Sequence, residues 1–293
     1  HPQALVELLQ ESVGEGQIEG FLKADNEPVP TSLQVNTLLS SPEEVEAALT
    51  ERNISFARHP WLPSCYLVKG TGNLAELELF TSGKVYVQDP AARLAAMAAG
   101  VGPGMRVLDV CAAPGGKSFA AAIAMENRGS VTSCDIHEHK ISLIEKGAER
   151  LGISIVQARQ ADASKFQAEW EDGFDVVIAD VPCSGLGVIR KKPDIRYKDL
   201  SPLERLPVVQ AAILENVSRY VRPGGTLLYS TCTVLKRENE QVAEAFLAQH
   251  QAFSLEPFQT PEALHEGNHG MLTLYPHLHA ADGFFICKLR KNV

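Results

Sequence analysis

The stretch Val107-Leu108-Asp109-Val110-Cys111-Ala112-Ala113-Pro114-Gly115-Gly116-Lys117-Ser118 decides the fold. Residues 107 to 110, apolar except for Asp109, read as a buried parallel strand. The small residues and Pro114 read as a tight turn, and Ser118-Phe119-Ala120-Ala121-Ala122-Ile123 as the start of a helix. Strand, loop and helix N-terminus in that order make the place where an α/β sheet seats a nucleotide-like cofactor. The loop argues against two chemistries. A phosphate-binding loop ending in Gly116-Lys117-Ser118 needs Gly five positions before its last Gly, and position 111 is Cys. A dinucleotide turn needs G-x-G-x-x-G, whose first two glycines are replaced by Cys111 and Ala113. A pocket for S-adenosyl-L-methionine fits better. The strand-end acid Asp109 precedes small residues at alternate positions (Cys111, Ala113, Gly115), so backbone can approach a cofactor that lacks phosphate. The bland alternative is a turn that only packs a helix on a sheet.

Outward from this stretch the chain alternates strand and helix. Strands are expected at 106–110, 131–135, 154–158, 175–180 and 226–230, with helices at 117–127, 138–151 and 207–221 between them. That order predicts an α/β fold with a doubly wound, mostly parallel sheet, Rossmann-like in class. A helix at 236–249 and strands near 252–256 and 283–289 follow, and 259–282 shows no period and reads as a long loop. On the N-terminal side, residues 3–12 read as a short helix and Leu33 to Leu38 as a half-buried strand. Ser41-Pro42-Glu43-Glu44 opens a helix to about Arg52. Short strands are expected near 54–58, 66–69 and 76–80, and an Ala-rich helix at 91–99. The domains expected are an N-terminal helical segment or linker at 1–30, a small α+β lobe at 31–84 that binds RNA, and a catalytic domain at 85–293.

The 293 residues suffice for one large or two smaller domains, and 45% hydrophobic with 22% charged residues is ordinary for a globular chain. No apolar run reaches the roughly 20 residues of a membrane helix. The first 20 residues hold four Glu and no basic n-region, so no signal peptide is visible, and a cytoplasmic monomer without membrane contact is expected. Six cysteines lie far apart without C-x-x-C, which indicates free thiols. His265, His269, His277 and His279 lack acids at ligand spacing, so no metal is expected. A net charge of −9 argues against a uniformly basic nucleic-acid binder, but charge is uneven. Residues 1 to 50 carry nine acids and one base, whereas Leu186 to Lys198 carries Arg190, Lys191, Lys192, Arg196 and Lys198 against Asp194 alone. The flexible-looking basic segment from Ile189 to Lys198 is where an RNA backbone is expected.

Ligands of such sheets bind at the carboxyl ends of the strands, so residues just past each strand matter most. Asp135 ends the second strand, where an acid commonly takes ribose hydroxyls. Asp162 follows the third and suits an adenine amino group, and Asp180 ends the fourth. Any one of them alone reads equally well as a cap or turn acid. The fourth and fifth strands run into Asp180-Val181-Pro182-Cys183-Ser184-Gly185 and Ser230-Thr231-Cys232-Thr233, placing two thiols at strand ends. A thiolate is the natural nucleophile for C6 of a pyrimidine, and addition there makes C5 able to accept a methyl group. A free thiol near pKa 8.5 needs a nearby cation such as Lys117 to ionise. Cys65, Cys134 and Cys287 are assigned to packing.

These motifs together resemble the RNA cytosine C5-methyltransferases, and Gly187-Val188-Ile189-Arg190-Lys191-Lys192-Pro193-Asp194-Ile195 is similar to the RsmB (Fmu) branch, which acts on small-subunit ribosomal RNA. The resemblance runs from about Leu33 to the C-terminus. It implies that Cys111, Ala112, Ala113, Pro114, Gly115, Gly116 and Lys117, with Asp135, Asp162 and Asp180, bind S-adenosyl-L-methionine. It also implies that Cys232 is the nucleophile, that Cys183 assists release by helping to remove the C5 proton, and that Asp180 contacts the cytosine. The family segment matching Leu33 to Leu38 reads Arg-x-Asn. Asn36 is kept as a candidate RNA contact, while Gln34 replaces the Arg. Members of the branch carry an all-helical RNA-binding domain ahead of this segment, and the chain starts at His1 without one, so a catalytic-core fragment is expected. The competing readings are a transfer-RNA methyltransferase of a paralogous branch and a non-catalytic RNA-binding assembly factor.

Overall fold

The computed structural model describes residues 1–264 and 269–293, and the chain opens with helices α1 (Gln3–Val13) and α2 (Ile18–Ala24). Two compact units are present. One is centred on residues 30–162, and the other joins residues 1–29 to 163–259 and the C-terminal strands.

The unit at 30–162 begins with a small lobe of β1 (Thr31–Val35), α3 (Pro42–Glu51), β2 (Ser55–Arg58), β3 (Cys65–Lys69), α4 (Glu78–Thr81) and β4 (Val85–Val87). The strands form an antiparallel sheet in the order β2-β3-β1-β4. Ser41 starts α3 with a reciprocal cap: its hydroxyl accepts from Glu44 N (3.2 Å), and the Glu44 carboxylate accepts from Ser41 N (3.0 Å). Val45 and Leu49, one turn apart, then bury with Leu33, Tyr66, Val68 and Val85. The strand expected at 76–80 is instead a helical turn at 74–76 followed by α4. Asn73 starts that turn by accepting from Ala75 N (3.1 Å), and Leu74, Leu77 and Phe80 recur every three residues against the lobe core. Leu77 and Leu79 alternate like a strand only because both are buried.

After α5 (Pro90–Ala98), the same unit holds the parallel strands β5 (Arg106–Asp109), β6 (Ser130–Asp135) and β7 (Val156–Gln160), with α6 (Gly116–Ala124) and α7 (Glu138–Arg150) between them. Lys117 to Ile123 are all buried in α6, whereas α7 buries only Ile144 and Ala148, the pattern of a surface helix.

The other unit contains β8 (Phe174–Asp180), α8 (Leu206–Ser218), β9 (Val221–Thr231), α9 (Glu240–Gln249), β10 (Phe253–Leu255), β11 (Met271–Leu274), α10 (Pro276–His279) and β12 (Phe284–Lys291). β8 and β9 pair in parallel, and β12 lies antiparallel to β9, β10 and β11. Part of the segment expected as a loop at 259–282 is therefore ordered. β11 is too short to show a period, and its register is supplied by β12 through Leu272↔Ile286 and Leu274↔Phe284. His277 and His279 lie on α10, where Tyr275 N donates to His279 Nδ1 (2.8 Å). His265 lies outside the described residues. The N-terminal helices are not a linker in packing terms. Leu5, Leu9, Val13 and Phe21 bury in one core with Leu186, Ile189, Ile195, Leu203, Val234 and Leu235, because the apolar stripe of a short amphipathic helix needs a partner. The expected class stands: α/β, with parallel strands alternating with helices and a small antiparallel lobe.

Candidate active site

In the unit at 30–162, β5 delivers a wholly buried Asp109 to the base of α6. Ser118 Oγ donates to Asp109 Oδ2 (2.8 Å), and Ser133 Oγ on β6 donates to Ser118 Oγ (2.7 Å). Asp109 therefore braces the start of the helix from beneath. The loop above it is tied down by Ala112 N to Cys134 O and Gly115 N to Ala112 O, both 2.7 Å, and the Ala113-Pro114 peptide is cis. Gly115 precedes α6 with φ +112, a conformation that favours glycine, and a Cβ there would lie 2.3 Å from Phe119 Cζ. Small side chains thus leave the N–H groups of the helix start approachable. At the end of β6, Asp135 Oδ1 accepts from His137 N (2.9 Å), and Lys140 Nζ lies 3.6 Å from it. Asp162 follows β7 and is half-buried, and Lys117 is buried in the first turn of α6.

The other unit brings the two cysteine turns together. Asp180 and Ser230 are paired across β8 and β9, and Ser230 Oγ donates to Asp180 Oδ1 (2.7 Å). One turn further, Cys183 Sγ and Cys232 Sγ are 3.3 Å apart, and Ser184 Oγ donates to Thr233 Oγ1 (2.8 Å). Both thiols line a cleft of about 470 Å³ walled by Val188, Lys191, Lys192, Pro193, Asp194, Ile195 and Lys198. That volume falls within the roughly 300–1,000 Å³ usual for small-molecule sites. The hydrogen bond with Cys232, then burial, then the charges of Cys232, Glu238 and Asp180 push the Cys183 thiol well above its ordinary value. Cys134 is pushed up to about 12 by burial, and Cys65, Cys134 and Cys287 are all interior.

The basic segment is less loose than its composition suggests. Ile189 and Ile195 anchor it in the core. Arg190 Nε and Lys191 Nζ pair with the two oxygens of buried Asp282 (3.0 and 2.8 Å), and Arg196 donates to the Asp25 carbonyl (2.7 Å). Arg190 and Arg196 are therefore half-buried and held by interior partners, while Lys192 and Lys198 are exposed on the cleft wall. Lys198 lay in the basic run without being singled out from sequence; its place on the wall is set by Ile195.

Asn36 needs the larger correction. It is 0% exposed, its Nδ2 donates to the carbonyls of Gly83 and Leu151 (both 2.9 Å), and its Oδ1 accepts from Leu38 N. No atom is left to reach RNA. Asn36→Ala is expected to cost about 3 kcal/mol, since two buried carbonyls lose their donor, and to leave RNA affinity unchanged. Chemical denaturation and filter binding of the same variant check both halves. Gln34, also buried, donates to Cys65 Sγ (3.2 Å) and the Gln88 carbonyl (3.1 Å).

Comparison with known proteins places this geometry in a family. Residues 97–290 match the model for 16S rRNA methyltransferase RsmB/F, and residues 1–75 match the ferredoxin-like domain of RsmF/B-like methyltransferases. The chain is 38% identical over 300 residues to the probable ribosomal RNA small subunit methyltransferase B of Bacillus subtilis, covering 100% of this chain and 66% of that protein. It is 31% identical to the ribosomal RNA small subunit methyltransferase F of Erwinia tasmaniensis, covering 99% and 63%. The crystal structure of PH0851 superposes with a TM-score of 0.93 at 32% identity, covering 99% of this chain and 66% of that one. The chain thus spans just under two thirds of the length of the curated relatives it matches. On the family match over residues 97–290, the protein belongs to the 16S rRNA methyltransferase RsmB/F family.

Proposed function

We propose that the chain transfers a methyl group from S-adenosyl-L-methionine to C5 of a cytosine in RNA, with small-subunit ribosomal RNA as the substrate, through a covalent bond between Cys232 and C6. The observation that carries this reading is the 3.3 Å approach of two thiols on the wall of one cleft. C5 of a pyrimidine becomes nucleophilic only after a group adds at C6, and a thiolate is the side chain suited to add there. The Cys232 hydrogen bond, burial and the carboxylates of Glu238 and Asp180 all disfavour ionisation of Cys183, so the attack on C6 is assigned to the other sulfur of the pair, Cys232.

When bound, S-adenosyl-L-methionine supplies an electrophilic methyl group on a sulfonium. The residues at 111–117 suit such a group: no side chain before Lys117 is larger than Pro114, a helix N-terminus opens on the turn, and Asp135 and Asp162 offer carboxylates to ribose hydroxyls and an adenine amino group. Cys232 Sγ forms a bond to C6, and the C5–C6 π pair moves toward C5, which would form the bond to the methyl group as the methyl–sulfonium bond breaks and its pair stays on the donor's sulfur as a neutral thioether. Asp180, fixed by Ser230, takes the amino edge of the cytosine. For release, the C5 proton leaves to solvent, its pair restores the C5–C6 double bond, and the C6–S pair returns to Cys232. Cys183, held as a thiol, donates its S–H to that departing sulfur. The resemblance instead assigns Cys183 to removal of the C5 proton; both roles use the same 3.3 Å pair, and both predict an adduct that persists without Cys183.

Lys192 and Lys198, with the partly neutralised Lys191, supply the charge for the RNA backbone. Lys192→Ala and Lys198→Ala are each expected to weaken RNA binding uniformly across sequences and to lower the salt slope by about one, whereas Arg190→Ala leaves the slope unchanged. Filter binding over a salt series reads both. The reaction itself is tested by incubating the protein with labelled cofactor and transcribed small-subunit RNA and mapping 5-methylcytosine. Methylation of transfer RNA alone would move the substrate, and RNA binding without methylation would favour an assembly factor.

A further inference from the structure

Each cysteine turn is gripped on both sides by buried side chains that lie outside the cleft. Glu238 and Asn239 are neighbours in sequence, immediately before α9, and both are 0% exposed. Glu238 Oε2 accepts from the N–H of Ser184, the residue after Cys183 (2.9 Å). It also accepts from Gln210 Nε2 (2.9 Å), and the same Gln210 nitrogen donates to the carbonyl of Pro182, the residue before Cys183 (3.0 Å). Asn239 does the same for the other turn. Its Oδ1 accepts from Thr231 Oγ1 (2.6 Å) and its Nδ2 donates to the Thr233 carbonyl (3.0 Å), the residues on either side of Cys232.

Helix capping does not explain these side chains. Asn239 occupies the cap position of α9 yet makes no capping bond. A fully buried carboxyl side chain is expensive, so the hydrogen bonds of Glu238 mark a place where the fold accepts cost for geometry. The Glu238 backbone is fixed in turn, its carbonyl accepting from Tyr229 Oη on β9 (2.5 Å). Because the two residues are adjacent, movement of one cysteine turn is coupled to the other through a single peptide unit.

We propose that Glu238 and Asn239 are positioning residues that set the separation of Cys183 and Cys232, Glu238 through the Pro182-Cys183-Ser184 turn together with Gln210, and Asn239 through Thr231 and Thr233. This rests on the reading of the two thiols as a working pair. Neither residue touches substrate; both act through the sulfurs.

A trivalent arsenical, phenylarsine oxide, measures the separation without any methyl transfer, since it condenses with two thiols held close together and releases water. The unmodified chain is expected to chelate one equivalent, and Cys183→Ala or Cys232→Ala to lose chelation. Asn239→Ala and Glu238→Ala are expected to weaken arsenical binding at least tenfold and to lower kcat by a similar factor, with KM for S-adenosyl-L-methionine unchanged. Thermal melting identifies any variant that has not folded.

Glu238→Gln keeps the shape and the acceptor oxygen while removing the charge, so chelation is expected to survive. The titratable and charged groups around Cys183 include Cys232, Glu238, Asp180 and Tyr229, and the cleft wall adds Lys191, Lys192, Asp194 and Lys198, all of them common to the variants compared. Removing one negative charge eases ionisation. In a Cys232→Ser background, the pH of half-maximal Cys183 alkylation is therefore expected to fall when Glu238→Gln is added, which a purely structural residue would not cause. Unchanged arsenical binding in folded Asn239→Ala and Glu238→Ala overturns the positioning role. Lost arsenical binding with methyl transfer intact instead overturns the reading of the thiols as catalytic and leaves the positioning standing.

Discussion

Cys232→Ala is expected to lower methyl transfer to small-subunit RNA by at least about a thousandfold, the scale on which removal of a covalent nucleophile leaves only binding and orientation. Cys183→Ala is expected to fail differently. The addition to C6 and the transfer of the methyl group still occur, but the departing sulfur loses the S–H that lies 3.3 Å away, so the adduct persists. Denaturing gel electrophoresis with labelled RNA should show a protein-sized shift for Cys183→Ala, none for Cys232→Ala, and none for the double variant. The double variant is the discriminating case, because an adduct surviving there would come from another nucleophile. Cys134 and Cys287 are poor candidates for it: burial raises both thiols, and neither sits at a strand end that opens on the cleft. Full activity of Cys232→Ala would remove the covalent step from the mechanism altogether.

What was legible in the sequence was local. The stretch from 107 to 118 reads as strand, turn and helix because its apolar run, its small residues and its alanines follow one another within a dozen positions. The two cysteine turns are legible for the same reason, since each sits directly after an apolar strand. Roles fixed by distant partners were not legible. Asn36 looks like an exposed polar residue after a strand, yet it is used up by carbonyls at Gly83 and Leu151. Arg190 and Arg196 read as free cations until the carboxylate of Asp282 and the carbonyl of Asp25, 92 and 171 residues away, are found beside them. Glu238 and Asn239 carry the signature of a helix start, and nothing local says that their side chains turn away from the helix toward two other loops. The segment from 74 to 81 fails for a third reason, because a buried leucine pair at alternate positions looks the same in a strand and in a short helical turn.

Gly115→Ala is expected to cost about 3 kcal/mol, combining roughly 1 kcal/mol for an L side chain at positive φ with the overpacking of a filled site. It is also expected to weaken S-adenosyl-L-methionine binding strongly. The Phe119 ring is the reason for the steric part. A Cβ on Gly115 would lie 2.3 Å from its Cζ, and a Cβ on Gly147, in the middle of α7, would lie 2.4 Å from the same atom. One aromatic ring therefore rests on two glycines, one in the turn and one in the neighbouring helix. Gly147 separates the two contributions, since its backbone is helical and carries no positive φ. At an open helical position Gly→Ala stabilises by about 1 kcal/mol; at Gly147 the collision should reverse the sign and destabilise by about 1–2 kcal/mol. Adding Phe119→Leu should recover much of the steric loss in Gly147→Ala and less in Gly115→Ala, where the backbone strain remains. Chemical denaturation gives the stabilities, and calorimetric titration with the cofactor gives the binding. A Gly147→Ala variant more stable than the unmodified chain would mean that the ring moves aside, and the turn at 111–117 would then owe its shape to something other than Phe119.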